Sequence, residues 1–440
     1  MTTTQTPADT ATATSAAAAP AVEPTATAAF RAQAAPRRGF VFFLVFAAVG
    51  AGAAQMSAAL LTLTLKATEL DAAAATTTIS ISSGIAGLLT LFALPIVGTL
   101  SDRSRSRLGR RRPFLAAAAV AFVVGGILLV TAPNVPVFVV AHLCVTLGFV
   151  FASVTTTALI ADQLPADRRG PASAFLSLST AMGALVGMAV AQPFGATLAP
   201  IVGIPTVVAV VALLTLVFVL RDPQVTQPAA RFDLRRAVGV FWVNPVKQPR
   251  FALVFTSRML VFSGVAALNG YQAIYLLQRV GLAPAELGGA ILLTVVVNLG
   301  ISLLVAPVIA KLSDRLDVRK PFIVVAAVIL GAGLVFASTA QDFPTYLVAC
   351  GVVALGQGVY FAVELALATR VLPDPENPAK DLAIIKVADN LPVSIVAAVA
   401  PALLALGAGA AGPNFAALFL AGAISAILGG LVILFVRDAR

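Results

Sequence analysis

Twelve stretches of about twenty apolar residues, spaced through a single chain, leave few folds open. A helix needs ~20 such residues to cross the hydrocarbon core of a bilayer. In the first half the stretches lie at about 40–65, 77–100, 114–132, 136–161, 171–196 and 200–220. In the second they lie at about 251–278, 284–311, 322–340, 344–371, 381–408 and 413–436. Nothing alternates in ten-residue segments as the strands of a membrane barrel do. Of the 440 residues, 59% are hydrophobic and 11% charged. A water-soluble fold has too little interior to hide that apolar surface. The expected fold is therefore an all-α membrane protein of twelve transmembrane helices.

The net charge of +10 follows the same pattern. All but three of the 29 Lys and Arg residues fall in the tails or in every second loop. The exceptions are Lys66 and Arg279, in loops on the opposite side, and Arg258, inside the seventh stretch. Basic residues mark cytoplasmic loops, so both termini and the central loop are expected inside, in the cytoplasmic membrane. A basic footprint divided among short loops does not fit nucleic acid. Residues 1–38 are mostly Thr, Ala and Pro and read as a disordered cytoplasmic tail without a signal peptide. The expected domains are bundles at 39–220 and 251–436, joined by a cytoplasmic loop at 221–250, with a tail at 437–440. Cys144 and Cys350 imply no disulfide framework, and a single histidine, His142, builds no metal site. No cofactor is expected, and a monomer is expected to suffice.

The two halves repeat. Pro95-Ile-Val-Gly-Thr-Leu-Ser-Asp102-Arg103 ends the second stretch, and Pro307-Val-Ile-Ala-Lys-Leu-Ser-Asp314-Arg315 ends the eighth. Residues 145–165 and 353–373 also align without gaps, pairing Leu147-Gly148 with Leu355-Gly356 and Leu164-Pro165 with Leu372-Pro373. Six helices per copy is an even number, so both copies enter from one side as parallel repeats about an axis along the membrane normal.

The run Gly98-Thr-Leu-Ser-Asp102-Arg103-Ser-Arg-Ser-Arg-Leu-Gly109-Arg110-Arg111-Arg112-Pro113 resembles the loop 2–3 signature of the major facilitator superfamily. Its form is most similar to sucrose–proton and glycoside–cation symporters. The resemblance implies that helices 1, 4, 7 and 10 line a central cavity. It also implies a gate built from Asp102, Arg103, Gly109, Arg110 and Arg111, with Asp314 and Arg315 as its second copy. Arg105 and Arg107 read as topological only. The chain departs from the glycoside pattern, having no carboxylate within helices 2 or 4, and its only Trp, Trp242, lies in the central loop. Asp162 reads as a loop residue at the membrane edge.

Ionisable groups inside a membrane are costly and point to function. Glu364, with Tyr360 and Gln357 one and two turns earlier on the same face, is a candidate for proton coupling or a structural acid. Asp389, beside Asn390 and just before Pro392, is a second candidate, at a point where the helix can kink. Arg258 can pair with Glu364, bind an anionic solute or snorkel to the cytoplasm, and snorkelling is preferred. His142 reads as a packing residue. Gln55, Asn269, Tyr271 and Gln272, with Thr155 to Thr157, offer hydrogen bonds to a polar solute or between helices.

The expected function is secondary active transport of a small solute, with a proton or another cation as coupling ion and lipid as solvent. No Gly-x-x-x-x-Gly-Lys-Ser/Thr loop is present for nucleotide hydrolysis, and no enzyme site is visible. Uptake of a sugar-like solute and efflux of an amphipathic compound both remain open. Gly183-x-x-x-Gly187 is only a fragment of an antiporter motif. A non-transporting receptor or scaffold is the remaining alternative.

Overall fold

The structure is a computed structural model that describes residues 39–222, 248–370, 378–407 and 412–436. The expected tails at 1–38 and 437–440, and most of the central loop including Trp242, lie outside the described residues. Twelve helices long and apolar enough to cross a membrane run through the described residues. They are α1 (Phe40–Leu70), α2 (Ala75–Arg103), α3 (Arg112–Thr131), α4 (Val135–Gln163), α5 (Ala166–Ala191) and α6 (Leu198–Val219). The second six are α7 (Pro249–Val280), α8 (Leu287–Leu316), α9 (Lys320–Thr339), α10 (Phe343–Arg370), α11 (Pro378–Ala405) and α12 (Phe415–Val432). Turns of π-helix interrupt α1 at Ala58–Thr62 and end α7 at Leu276–Val280.

The helix ends show the repeat at the level of single side chains. Asn134 caps α4 by accepting the Val137 amide at 3.1 Å. Asp342, at the matching place before α10, accepts the Thr345 amide at 2.8 Å. That amide and the Thr345 hydroxyl hold the exposed Asp342 carboxyl below the ordinary carboxylate range. Arg112 and Lys320 open α3 and α9, each followed by a proline suited to a first helical turn. Arg112 donates to the Leu220 carbonyl at the end of α6, and Lys320 to the Val436 carbonyl just past α12.

Several helices outrun their apolar stretch where a charged end is paired or solvated. α1 continues to Leu70 because Lys66, expected in a loop, is buried in it, donating to Glu69 at 3.0 Å and to the Val130 carbonyl at 3.3 Å. α8 likewise continues through Lys311 and Arg315 to Leu316.

Each half packs in the same way. α1 lies against α5 and α6, as α7 lies against α11 and α12; α3 pairs with α4, as α9 pairs with α10. On α5, Gly183 and Gly187 set their backbones directly on Gly52 and Ala53 of α1. Small residues permit such approach where lipid supplies no hydrophobic drive between helices. Large apolar side chains such as Phe42, Phe218 and Leu304 point outward. The halves meet chiefly along α2 with α11 and along α5 with α8.

Candidate functional site

Arg258 is buried two turns and more into α7, between two carboxylates. Its Nη1 donates to Glu364 Oε2 on α10. Its Nε donates to Asp389 Oδ1 on α11 at 2.5 Å. The guanidinium carbon also lies over the Phe262 ring, 5.1 Å from its centroid. Snorkelling is thereby corrected: two acids and a ring hold the side chain inside, and withdrawing it would leave Glu364 buried without its cation, at a cost of several kcal/mol. Glu364 is 2% exposed, and its Oε1 has no hydrogen-bond partner among the described residues. α11 runs without a break through Asp389, Asn390 and Pro392.

Beside this cluster is a cavity of about 550 Å³ between the halves. It is walled by α1, α5, α7, α8 and α10, rather than by the expected set with α4. Asn269 and Gln272 of α7 and Thr294 and Asn298 of α8 supply amides and a hydroxyl, among walls that include Leu60, Leu299 and Phe361. Asn298 donates to Gln357 Oε1 at 2.7 Å, and the Thr294 hydroxyl, which donates to the Ile291 carbonyl at 2.8 Å, lies 3.4 Å from Gln272 Oε1. Phe361 lies 5.7 Å from Phe262, centroid to centroid, so two rings stand between cavity and guanidinium.

The other residues expected on the cavity wall are placed elsewhere. Gln55 is buried in α1, Tyr360 packs at 6.4 Å against the Phe262 ring, and Tyr271 reaches across to α2. Thr156 and Thr157 return their hydroxyls to the α4 backbone at Ala152 and Ser153. His142 is buried with Nδ1 2.7 Å from the Ser82 hydroxyl.

Among the described residues, contacts between the halves gather toward one face. Call the face at which α1 begins the terminal face, and the opposite one the far face. Ser80 of α2 meets Tyr271 of α7, Ser394 of α11 donates to the Gly84 carbonyl at 3.1 Å, and Gly288 of α8 packs on Gln192. The cavity residues of α5 and α8 all lie on the terminal-face side of these last contacts. The far face is closed and the cavity lies beneath that closure.

On the terminal face the loop after α2 folds into a charge network. Arg110 and Arg111 both donate to Asp102 Oδ1, at 2.8 and 2.7 Å. Arg111 is 3% exposed and also donates to Asp162 Oδ2 and the Ser101 hydroxyl, each at 2.7 Å. Burial opposes its charge, but Asp162 and Asp102 outweigh that and raise its pKa above the ordinary value. Asp162 is corrected from a loop residue to the last turn of α4. Asp222 was not expected. Its carboxylate accepts the amides of Arg111 at 2.5 Å and Arg112 at 2.9 Å, capping α3 from a distance. Gly109 turns beside it with φ of 109°, where a Cβ would run into Asp222. The second copy is simpler: Asp314 pairs with Arg319 at 3.3 Å, while Arg315 is exposed. Asp222 had one sequence signal, the Arg221-Asp222 pair matched by Arg437-Asp438 at the end of the second half.

Residues 41–303 and 254–440 match the family model of the Major Facilitator Superfamily. A segment of 111 residues, 25% of the chain, is 33% identical to a probable polyol transporter 3 of Arabidopsis thaliana, and it spans only 22% of that protein. Among solved structures, a D-xylose-proton symporter superposes with a TM-score of 0.66 at 19% identity, covering 91% of this chain and 98% of the other. A peptide transporter in complex with sulfate gives 0.69 at 16% identity, covering 92% and 96%. These likenesses establish a common fold.

Proposed function

This chain belongs to the Major Facilitator Superfamily, and on that premise we propose that it is a proton-coupled secondary transporter of a small neutral solute, working by alternating access. The observation that carries the reading is the buried group of Arg258, Glu364 and Asp389. Fully ionised, it places one cation between two anions in a membrane interior, where net charge is costly. One proton neutralises it, and Glu364 Oε1, buried without a partner among the described residues, can hold that proton.

The distribution of basic residues supports cytoplasmic termini in the cytoplasmic membrane. With that orientation the closed far face is external and the state is inward-facing. Residues 39–220 and 251–436 then form the two rocking bundles. At the end of α2 and in the loop after it, Asp102, Arg103, Gly109, Arg110 and Arg111 form the gate, and Asp314 and Arg315 the lighter second copy. Gates of this kind are two-state contacts made on one side and broken on the other.

The cavity volume fits a small solute. Its polar lining is neutral, and Arg258 is engaged by two acids, so an anionic solute is disfavoured. The similarity of one segment to a probable polyol transporter supports a sugar-like substrate taken up with protons. Walls such as Leu60, Leu299 and Phe361 support a second reading, efflux of an amphipathic compound.

The test is a solute screen in proteoliposomes with and without an imposed pH gradient. Accumulation that follows the gradient, and uncouples in Glu364→Gln, is expected. Gradient-driven accumulation unchanged in that variant removes Glu364 from the mechanism. Flux indifferent to the gradient points to another ion or to uniport. The direction of proton-linked movement separates uptake from efflux.

A further inference from the structure

Where the first half has a filled core, the second half has an open groove. In the first half, Ala93 and Val97 of α2 and Val150 of α4 are buried together. Phe114 of α3 and Phe151 of α4 close over them, ring centroids 6.1 Å apart. The repeat alignment carries Phe114 to Phe322, but Phe151 to Val359 and Val150 to Gly358. With that ring gone, Phe322 has no aromatic partner at this place among the described residues. A groove of about 660 Å³ opens between α8, α9 and α10, bounded by Leu304, Val308, Phe322 and Val359. Its lining is apolar, and Leu304 and Val308 are 75% and 63% exposed on the outer surface.

The same alignment puts cations at the mouth of the groove. Lys311 stands where the first half has Thr99. Leu304, Val308, Lys311 and Arg315 are spaced i, i+4, i+7 and i+11, a single stripe along α8. Lys311 and Arg315 are both exposed, and neither has a carboxylate partner among the described residues. Asp314, the acid between them, is engaged by Arg319. The stripe runs about 16 Å from the apolar wall at Leu304 to the second cation at Arg315, by a rise of 1.5 Å per residue.

We propose that this groove is a binding site for an anionic phospholipid, with an acyl chain against Leu304, Val308 and Val359 and the phosphate on Lys311 and Arg315. The occupant follows from two complementarities. A dry apolar channel facing the membrane takes a hydrocarbon chain, and two cations at the headgroup level favour an anion. The site belongs to the second half alone, because the first fills the channel with Phe151 and lacks the cation at Thr99. Through Leu299 and Ser302, α8 also walls the central cavity, so the lipid would brace a helix of the transport path.

The full-length protein is reconstituted into vesicles of equal parts phosphatidylglycerol and phosphatidylcholine, extracted in mild detergent, and its retained lipid counted by native mass spectrometry. Phosphatidylglycerol is expected to be retained in preference. Each basic residue near the surface is worth about 1 kcal/mol, so Lys311→Gln with Arg315→Gln lowers that preference roughly 30-fold. Val359→Phe, which copies the first half, removes retention by filling the channel. Arg105→Gln with Arg168→Gln deletes equal charge elsewhere and leaves retention unchanged. Equal loss in that control, equal retention of both lipids, or unaltered retention in a folded Val359→Phe protein overturns the proposal. So do protein dimers that Val359→Phe disperses, which assign the groove to a second copy of the chain. Should Val359→Phe fail to fold, the two glutamine pairs decide alone.

Discussion

Ser80 on α2 and Tyr271 on α7 hold their hydroxyls 2.6 Å apart across the two halves. The Ser80 hydroxyl also lies 2.7 Å from the Thr76 carbonyl and spends its single hydrogen there. Tyr271 is therefore the donor across the interface. This bond is a side-chain link between the halves at the closed far face, beside the backbone contact from Ser394 to Gly84.

Tyr271→Phe removes the donor and leaves Ser80 satisfied by Thr76. A net hydrogen bond is worth about 1 kcal/mol, which amounts to roughly a fivefold shift toward the opened far face. The check is the labelling rate of Leu61→Cys, buried where α1 meets Gly288 of α8, by a membrane-impermeant thiol reagent. A rate about fivefold higher in the tyrosine variant is expected, and equal rates would deny the bond a part in closure.

Arg258→Leu leaves the buried Glu364 and the half-buried Asp389 without their shared cation. Breaking a buried ion pair from one side costs about 3–5 kcal/mol. The thermal midpoint in detergent should fall sharply. Adding Glu364→Gln and Asp389→Asn to Arg258→Leu should recover much of it, since neutral amides need no cation. A single variant as stable as the parent, or a triple variant no better than the single, contradicts an ion-paired cluster.

The helices, their number and the repeat were legible in the sequence because lipid imposes a length and a polarity on every span. Their ends were less so: α1 and α8 extend through Lys66 and Arg315, where a pairing partner or solvent, rather than apolarity, carries the helix onward. Glu364, Asp389 and Arg258 stood out singly, each being an ion in an apolar run. Their convergence did not, because it depends on how α7, α10 and α11 face one another. Asp222 and Asp162 were missed or misplaced for a related reason. Each sits at a helix end where charge is ordinary, and only contact with Arg111 separates them from other loop acids.

Asp222 caps α3 across more than a hundred residues of sequence, and Gly109 is the turn that lets it approach. Asp222→Ala should cost about 1–2 kcal/mol, in the range of a lost N-cap. Gly109→Ala should also destabilise, because φ of 109° is a conformation that L side chains resist and its Cβ would meet the Asp222 carboxylate. Made together, the two changes should cost less than their sum, since removing the carboxylate removes the clash. Thermal melts of the four proteins in one detergent complete the cycle. Strict additivity would mean that the two residues do not meet.

Asn269 and Asn298 both line the cavity, but they are held differently. Asn298 donates to Gln357 at 2.7 Å and so ties α8 to α10. Asn269 is exposed, and no hydrogen bond of its amide is seen among the described residues. An amide that binds solute and an amide that joins helices should fail in different assays. Asn269→Leu should leave the thermal midpoint in place and raise the KM for the transported solute about tenfold, as expected for one lost hydrogen bond together with an apolar intrusion. Asn298→Leu should lower the midpoint, because Gln357 loses its donor partner in a half-dry site where an unmet polar group costs about 1–3 kcal/mol. Its KM should change less than its stability. Transport kinetics and melting curves on the same two preparations separate the roles. If Asn269→Leu melts early with an unaltered KM, the amide supports the fold and the solute is held by other groups of the wall.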